Sequence, residues 1–210
     1  MISDVDMSRP MLGQPFGGVT VAQVNRVDDP EGLGRVTVLF QCNGESKESG
    51  WLQVMSFYGG QDCGAFFLPS EGDSALVGFV DGDAKRAFVL GFLRGGSSKP
   101  PIEDTARQRD VRLIKTRQGK QLIFDDSKEG QLTLVDENQN RVQIDTAKNH
   151  ISVESKGDVT ITAADTLTLT ANRLVLQNTA GSVKLELGAA GLQANGGQSM
   201  KLNATMIELN

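Results

Sequence analysis

Residues 157–176 read GDVTITAADTLTLTANRLVL, and the fold of the chain turns on them. Val159 and Ile161, Leu167 and Leu169, and Leu174 and Leu176 are each spaced two apart, with Thr or another residue between. A period of two belongs to a β-strand with one apolar face. Gly, Asp, Ala and Asn cut each burst short. Marked by their first core-type residue, such bursts recur at Leu122, Leu132, Val142, Ile151, Val159, Leu167, Leu174, Val183, Leu192, Met200 and Ile207. A repeat of roughly eight residues is too short for a helical hairpin or a propeller blade and falls in the range of β-helices and β-prisms.

A strand this short offers about two inward side chains. Burying a Val, Leu or Ile is worth roughly 1.5–3 kcal/mol, and ordering one residue's backbone costs about 1–2 kcal/mol, so a single chain closes no core this way. Three copies can share one, each forming a face of a triangular prism whose inward residues meet near the axis. The expectation is a trimeric β-helix needle over residues 112–210, in which each strand pairs with strands of neighbouring chains. Its core is assigned to Val159, Ile161, Leu167, Leu169, Leu174, Leu176, Val183, Leu185 and Leu187. No aromatic residue follows Phe124, which suits a threefold axis better than an ordinary globule. The alternatives are a single-chain parallel β-helix, which needs several strands per coil, and a sandwich of hairpins, which prefers longer strands and aromatic filling.

Upstream the pattern differs. VTVAQVNRV, GRVTVLFQ, GWLQVMSF, GAFFLPSEGD, SALVGFVDGD and AFVLGFLRG are short runs rich in Val and Phe, separated by turn residues. A sheet of this size must close or be covered to hide its edges, so residues 16–96 read as a small antiparallel barrel or sandwich. Trp51, Phe66, Phe67, Leu68 and Phe79 are assigned to its core. Residues 1–15 read as an extended arm, and residues 97–111, with Pro100 and Pro101 and no hydrophobic period, as a linker.

Charge separates the same two parts: residues 1–111 carry 10 Lys/Arg against 15 Asp/Glu, and residues 112–210 carry 11 of each, so the net charge of −5 lies wholly in the first part. An acidic domain is poorly suited to phosphate backbones. Neither a basic-then-apolar leader nor a long apolar run is visible, which leads to the expectation of a chain made in the cytoplasm without a signal peptide. Cys42 and Cys63 are then expected as reduced thiols.

The residues that invite chemistry have plainer roles. His150 is the sole histidine and stands beside Ile151 with outward parity, so no metal is expected there. Asp81 and Asp83 flank Gly82 and read as turn chemistry rather than a calcium loop. Asp125 and Asp126 are adjacent, point to opposite faces and end a strand at the collar of the needle. No nucleophile elbow or Ser-His pairing is present, and the glycine pairs lack a phosphate-loop setting. The expectation is a chain with no catalytic residues, cofactor or metal.

The order of segments resembles a known family. GRVTVLFQ (34–41), SGWLQV (49–54), GAFFLPSEGDSALVGFVDGDAKRAFVLGFL (64–93) and TRQGKQLIFDD (116–126) are similar to the spike proteins of contractile injection systems, the VgrG proteins and the phage baseplate assembly protein V. The resemblance implies an OB-fold barrel for residues 16–96 followed by the trimeric needle. It further implies a homotrimeric spike that docks on a baseplate hub, here expected to be a separate protein, and pierces a target cell envelope on firing. The apolar pattern that runs on to Ile207 suggests a separate PAAR-type tip protein. No lysozyme-like insert separates barrel from needle, and no His-x-His pair stands near the C-terminus. The competing readings are a wall-degrading spike enzyme and an OB-fold nucleic-acid-binding module with an oligomerisation tail.

Overall fold

A computed structural model of the chain describes residues 18–42, 44–94, 99–201, 203 and 205–206. The expected arm at 1–15, together with Phe16 and Ile207, lies outside the described residues. The fold is all-β apart from a 3-10 turn at Val80–Gly82 and a four-residue helix. In chain order the elements are β1 (Val19–Arg26), β2 (Thr37–Cys42), β3 (Glu45–Glu48), β4 (Gln53–Val54), β5 (Gly59–Gly60), β6 (Cys63–Gly64), β7 (Ser74–Phe79), β8 (Ala87–Leu93), α1 (Thr105–Gln108), β9 (Val111–Lys115), β10 (Gln121–Asp125), β11 (Gln131–Val135), β12 (Arg141–Asp145), β13 (His150–Glu154), β14 (Leu174–Gln177), β15 (Lys184–Gly188) and β16 (Gly191–Asn195). Contacts divide the chain into two compact units, one running through β13 and the other holding β14 to β16.

In the first unit β1 pairs antiparallel with β2 and β7, β7 with β8, and β2 with β3, while β4 runs parallel to β8. Val36 and Leu52, just ahead of β2 and β4, exchange backbone hydrogen bonds of 3.0 and 2.8 Å. Those two bonds close the sheet. β3 and β4 act as one bent strand whose first half lies on β2 and whose second half lies on β8, so the circuit β1, β2, β3–β4, β8, β7 returns to β1 as a five-stranded OB-type barrel. Alternate residues point inward: Ala22 and Val24, Val36, Val38 and Phe40, Ala75 and Val77, and Val89 are buried together with Leu52.

The rings assigned to the barrel core do not fill it. Phe66 and Phe67 are 73% and 59% exposed, Leu68 is also exposed, and Trp51 is half-buried with the Arg26 guanidinium 5.1 Å from its ring centroid. Phe79 does pack against the core, 6.2 Å from Phe40 between ring centroids. The reason is width: a barrel of five strands is narrower than the eight-stranded kind whose interior side chains just fill, so Val and Ala occupy most of it beside Phe40 and Leu52, and Phe66 and Phe67 stay at the rim.

β9 to β13 form a second sheet, an antiparallel meander in which each strand pairs with the next of the same chain. This corrects the expectation that every strand after the linker pairs with a neighbouring chain. The turns between these strands are short, with Gly119 at φ +101° and Asn149 at φ +50°, so local hairpins form before any intermolecular pairing is needed. The expected linker also contains α1, capped by the Asp104 carboxylate accepting from the Ala106 N–H. In the second unit β14, β15 and β16 make a three-stranded antiparallel sheet. Residues 155–173 form no strand.

Candidate assembly surfaces

Cross-strand register determines which side chains share a face of the β9–β13 sheet. Ile114, Leu122, Leu134 and Val142 stand opposite one another in one row, and Phe124, Leu132 and Ile144 in the next, with Arg112 at its end. Apart from half-buried Leu122, these apolar residues are exposed. The other face carries Asp125, Gln131 and Asp145 in one row and Ile123, Thr133 and Gln143 in another. The sheet thus leaves an apolar face to solvent and buries Val111, Thr133, Val135 and Asp145 on the other, mixed face. A contiguous exposed apolar face of this kind marks an interaction surface.

Ion pairs brace the polar face and the sheet's edges. Arg107 of α1 reaches Asp125 at 3.0 Å, and Lys148 reaches Asp145 at 2.9 Å in the turn after β12. Hydrogen bonds from Ser127 and from the Arg107 guanidinium hold the Asp125 carboxyl below the usual carboxylate range. Lys148 does the same for Asp145, and Lys120, at 2.9 Å, for Glu137. Each depression means the charged form is preferred in the folded state. None of these carboxylates lies on the apolar face, which carries only Arg112 as a charge.

The needle-core assignments divide in two. Leu174, Leu176, Leu185 and Leu187 share one face of the second unit's sheet, in the pairs Leu174–Leu187 and Leu176–Leu185, continued by Leu192 and Ala194 on β16. The opposite face carries Glu186, which accepts from the Arg173 guanidinium and is also paired with Lys184. Val159, Ile161, Leu167 and Leu169 lie in the segment without strands, and all four are more than half exposed. Val183, just ahead of β15, is exposed as well.

His150 begins β13 on the surface, and Asp81 occupies the turn after β7 at φ +53° with Arg86 3.3 Å away. Asp125 closes β10 as expected for a strand end. Among the described residues no group of His, Cys, Asp or Glu is gathered in a way that could hold a metal ion, and no helix is long and apolar enough to cross a membrane.

The barrel itself has been met before. The sequence model of the type VI secretion system/phage-baseplate injector OB domain matches residues 20–93, the stretch running from β1 to the end of β8. Residues 20–93 are thus similar to the OB domain of type VI and phage-baseplate injectors. Among similar proteins, the type VI secretion system spike protein VgrG4b of Pseudomonas aeruginosa PAO1 is 32% identical over 111 residues, which cover 48% of the chain and 14% of VgrG4b. VgrG5 of the same organism is 33% identical over 106 residues, covering 45% of the chain and 13% of VgrG5. The aligned stretches thus represent about one seventh of these larger proteins.

Two features of the barrel are not legible in the sequence pattern. One is the lock on the loop between β1 and β2, where the buried Asp29 carboxylate accepts from the Arg35 guanidinium at 2.7 and 2.9 Å and from the backbone N–H groups of Glu31, Leu33 and Arg35. Arg35 is the main cause of the strong downward shift of that carboxyl. The signal was the second Asp of DDPEGLGR, Asp29, able to cap a turn two residues on. The other is the ring of aromatics at the barrel's rim, which hydrophobicity alone cannot tell from core.

Proposed function

We propose that the chain is the homotrimeric central spike of a contractile injection machine, a phage tail baseplate, a type VI apparatus or an extracellular injection particle. The observation that carries this reading is the exposed apolar face running through Ile114, Leu134 and Val142, repeated on the second unit by Leu176 and Leu187. Three copies turning these faces inward would bury them around one axis and form a triple-stranded needle, with Val159, Ile161, Leu167 and Leu169 contributing the layers in which one chain has no pairing of its own. The barrels would dock on a separate hub, the far end would take a PAAR-type tip protein, and the whole would be driven into a cell envelope. On this reading the work is mechanical. The chain catalyses no reaction, needs no cofactor and binds no nucleic acid, in keeping with an apolar rather than basic exposed face.

Native mass by light scattering or native mass spectrometry tests the proposal directly. The expected result is three times the chain mass of 22.5 kDa, unchanged on dilution. A monomer at micromolar concentration rejects it.

A further inference from the structure

The sheet of β14 to β16 ends in a dipeptide that the fold makes chemically labile. β16 is an edge strand, exposed along its whole length, and its last residue, Asn195, stands level with Lys184 of β15. Gly196 and Gly197 follow and turn the chain. The turn requires both: a Cβ at residue 196 would lie 2.5 Å from the Ser199 carbonyl oxygen, and residue 197 takes φ +68°. The asparagine is therefore followed by a backbone nitrogen with no side chain to shield it. The chain's other Asn-Gly pair, at 43–44, begins outside the described residues.

Asn195 is also held less tightly than Asn25 or Asn178. Asn25 lies inside β1 and donates from Nδ2 to Glu48 at 2.8 Å. Asn178 is tied at both ends of its carboxamide, Oδ1 accepting from the Val183 N–H and Nδ2 donating to Ser182 Oγ, each at 3.0 Å. At Asn195 the Oδ1 accepts from the Gly197 N–H at 2.9 Å, and Nδ2 has no hydrogen-bond partner among the described residues. The Oδ1 bond curls the carboxamide over the Gly196 peptide and draws electron density away from Cγ. Gly196 itself lies past the last residue pair of the sheet, so its N–H is outside the ladder.

We infer that Asn195 is a site of spontaneous covalent modification, converting to aspartate and isoaspartate through a cyclic imide formed with Gly196. The Gly196 amide gives its proton to hydroxide, and its nitrogen bonds to Asn195 Cγ. The Cγ–Nδ2 bond breaks, and the side-chain nitrogen takes a proton from water and leaves as ammonia. A water molecule then opens the imide, either at Cγ, which restores the ordinary chain as aspartate, or at the main-chain carbonyl carbon, which leaves the chain running through Cβ and Cγ as isoaspartate. The net change is one water consumed and one ammonia released. Both products put a carboxylate where a neutral amide stood, opposite the Lys184 ammonium. Lys184 already pairs with Glu186, so the aspartate product shares that cation between two carboxylates. The isoaspartate product lengthens the main chain at the last residue pair of the sheet and loosens the end of β16.

The test holds the full-length protein folded at mildly alkaline pH, with a second sample in urea. Both are digested at intervals, each asparagine peptide is read by mass, and isoaspartate is counted with an isoaspartyl methyltransferase. The expected result is an amide-to-acid mass shift at Asn195 in the folded chain, well ahead of Asn149 and Asn178, with both products present. The rate rises with pH, because the step begins with loss of an amide proton. Asn195→Gln, whose longer side chain closes the ring poorly, loses the isoaspartate signal from this peptide. An Asn195 that keeps its amide in the folded chain overturns the inference, whether or not urea releases it. So does conversion at Asn149 or Asn178 at the same rate, because the turn then confers nothing on Asn195.

Discussion

Val77 in the barrel is fully buried, whereas Leu134, equally central in an antiparallel strand of the second sheet, is 56% exposed. Both sit in β-strands with alternating patterns, so local sequence does not separate them. Closure does. The barrel bends β3–β4 back onto β8 and joins Val36 to Leu52, which gives its apolar residues an inside. The meander of β9 to β13 pairs strand with strand and stops, leaving edges and one apolar face without a cover. A sheet that closes hides its edges, and a sheet that does not close leaves them open to pairing with another chain.

The sharpest way to break this contrast is a charge on the open side. Leu169→Asp alters a residue that is 59% exposed in one chain, so the isolated chain tolerates it, but in a homotrimer it brings three carboxylates into a dry shaft. Desolvation and like-charge repulsion act together there, each buried unpaired charge costing several kcal/mol. The expected outcome is loss of the trimer by light scattering with the fluorescence of Trp51, on the barrel, unchanged. A stable trimer carrying Leu169→Asp rejects the shared core.

The complementary change strikes the closed side. Val77→Ala removes two methyl groups from a fully buried site and is expected to lower barrel stability by about 2–3 kcal/mol, from lost transfer energy and the cavity left behind. Denaturant unfolding followed at Trp51 reads the loss, and native mass stays that of the wild type. If Val77→Ala instead dissociates the assembly, barrel and shaft are not independent in the way proposed.

Which parts of this were legible in the sequence follows from the same contrast. The all-β class is visible in the sequence, because periods of two survive in isolation, whereas the compact units divide after β13 and not at the expected linker. Pairing partners are not visible: Leu122 meeting Leu134 within one chain depends on the turn at 126–130 being tight enough to make a hairpin, which overrode the expectation of pairing between chains. The barrel core was misjudged because Phe66 and Phe67 look more hydrophobic than Val36 or Val38, while the small bore of the barrel selects for size. On the open faces, Leu122, Leu132 and Val142 were marked as core-type residues and Leu174, Leu176, Leu185 and Leu187 as needle core, but the sequence could not show that the intervening segment 155–173 lacks any strand within one chain.

A smaller effect sharpens the picture of the loop between β1 and β2. Asp29→Asn keeps the size of the side chain but removes the charge that accepts from the Arg35 guanidinium and three backbone N–H groups. Because the folded carboxyl titrates below its unfolded value, its stabilisation is full above the ordinary carboxylate range and fades as pH falls below about 4. The variant is expected to be less stable than wild type at neutral pH and to approach it in acid. A constant gap down to the lowest accessible pH means the charge is not what holds the loop.

The least of these effects lies on the polar face of the β14–β16 sheet. Glu186, flanked by Arg173 and Lys184, is held at about 2 against an ordinary value of 4.5, first by the Arg173 hydrogen bond and then by that from Lys184. A depressed carboxyl stabilises the fold above its unfolded value, so this contribution is present at neutral pH and is lost as pH falls from 4.5 towards 2. Arg173 is 61% exposed, and water and salt weaken the pair accordingly. Glu186→Gln should therefore flatten the acid limb of the shaft's unfolding curve only slightly, and added salt should erase the difference from wild type. The native mass should not change, because Glu186 lies on the face opposite Leu185 and Leu187. Dissociation of the assembly by Glu186→Gln would mean that the polar face, not the leucine face, is turned towards the neighbouring chains.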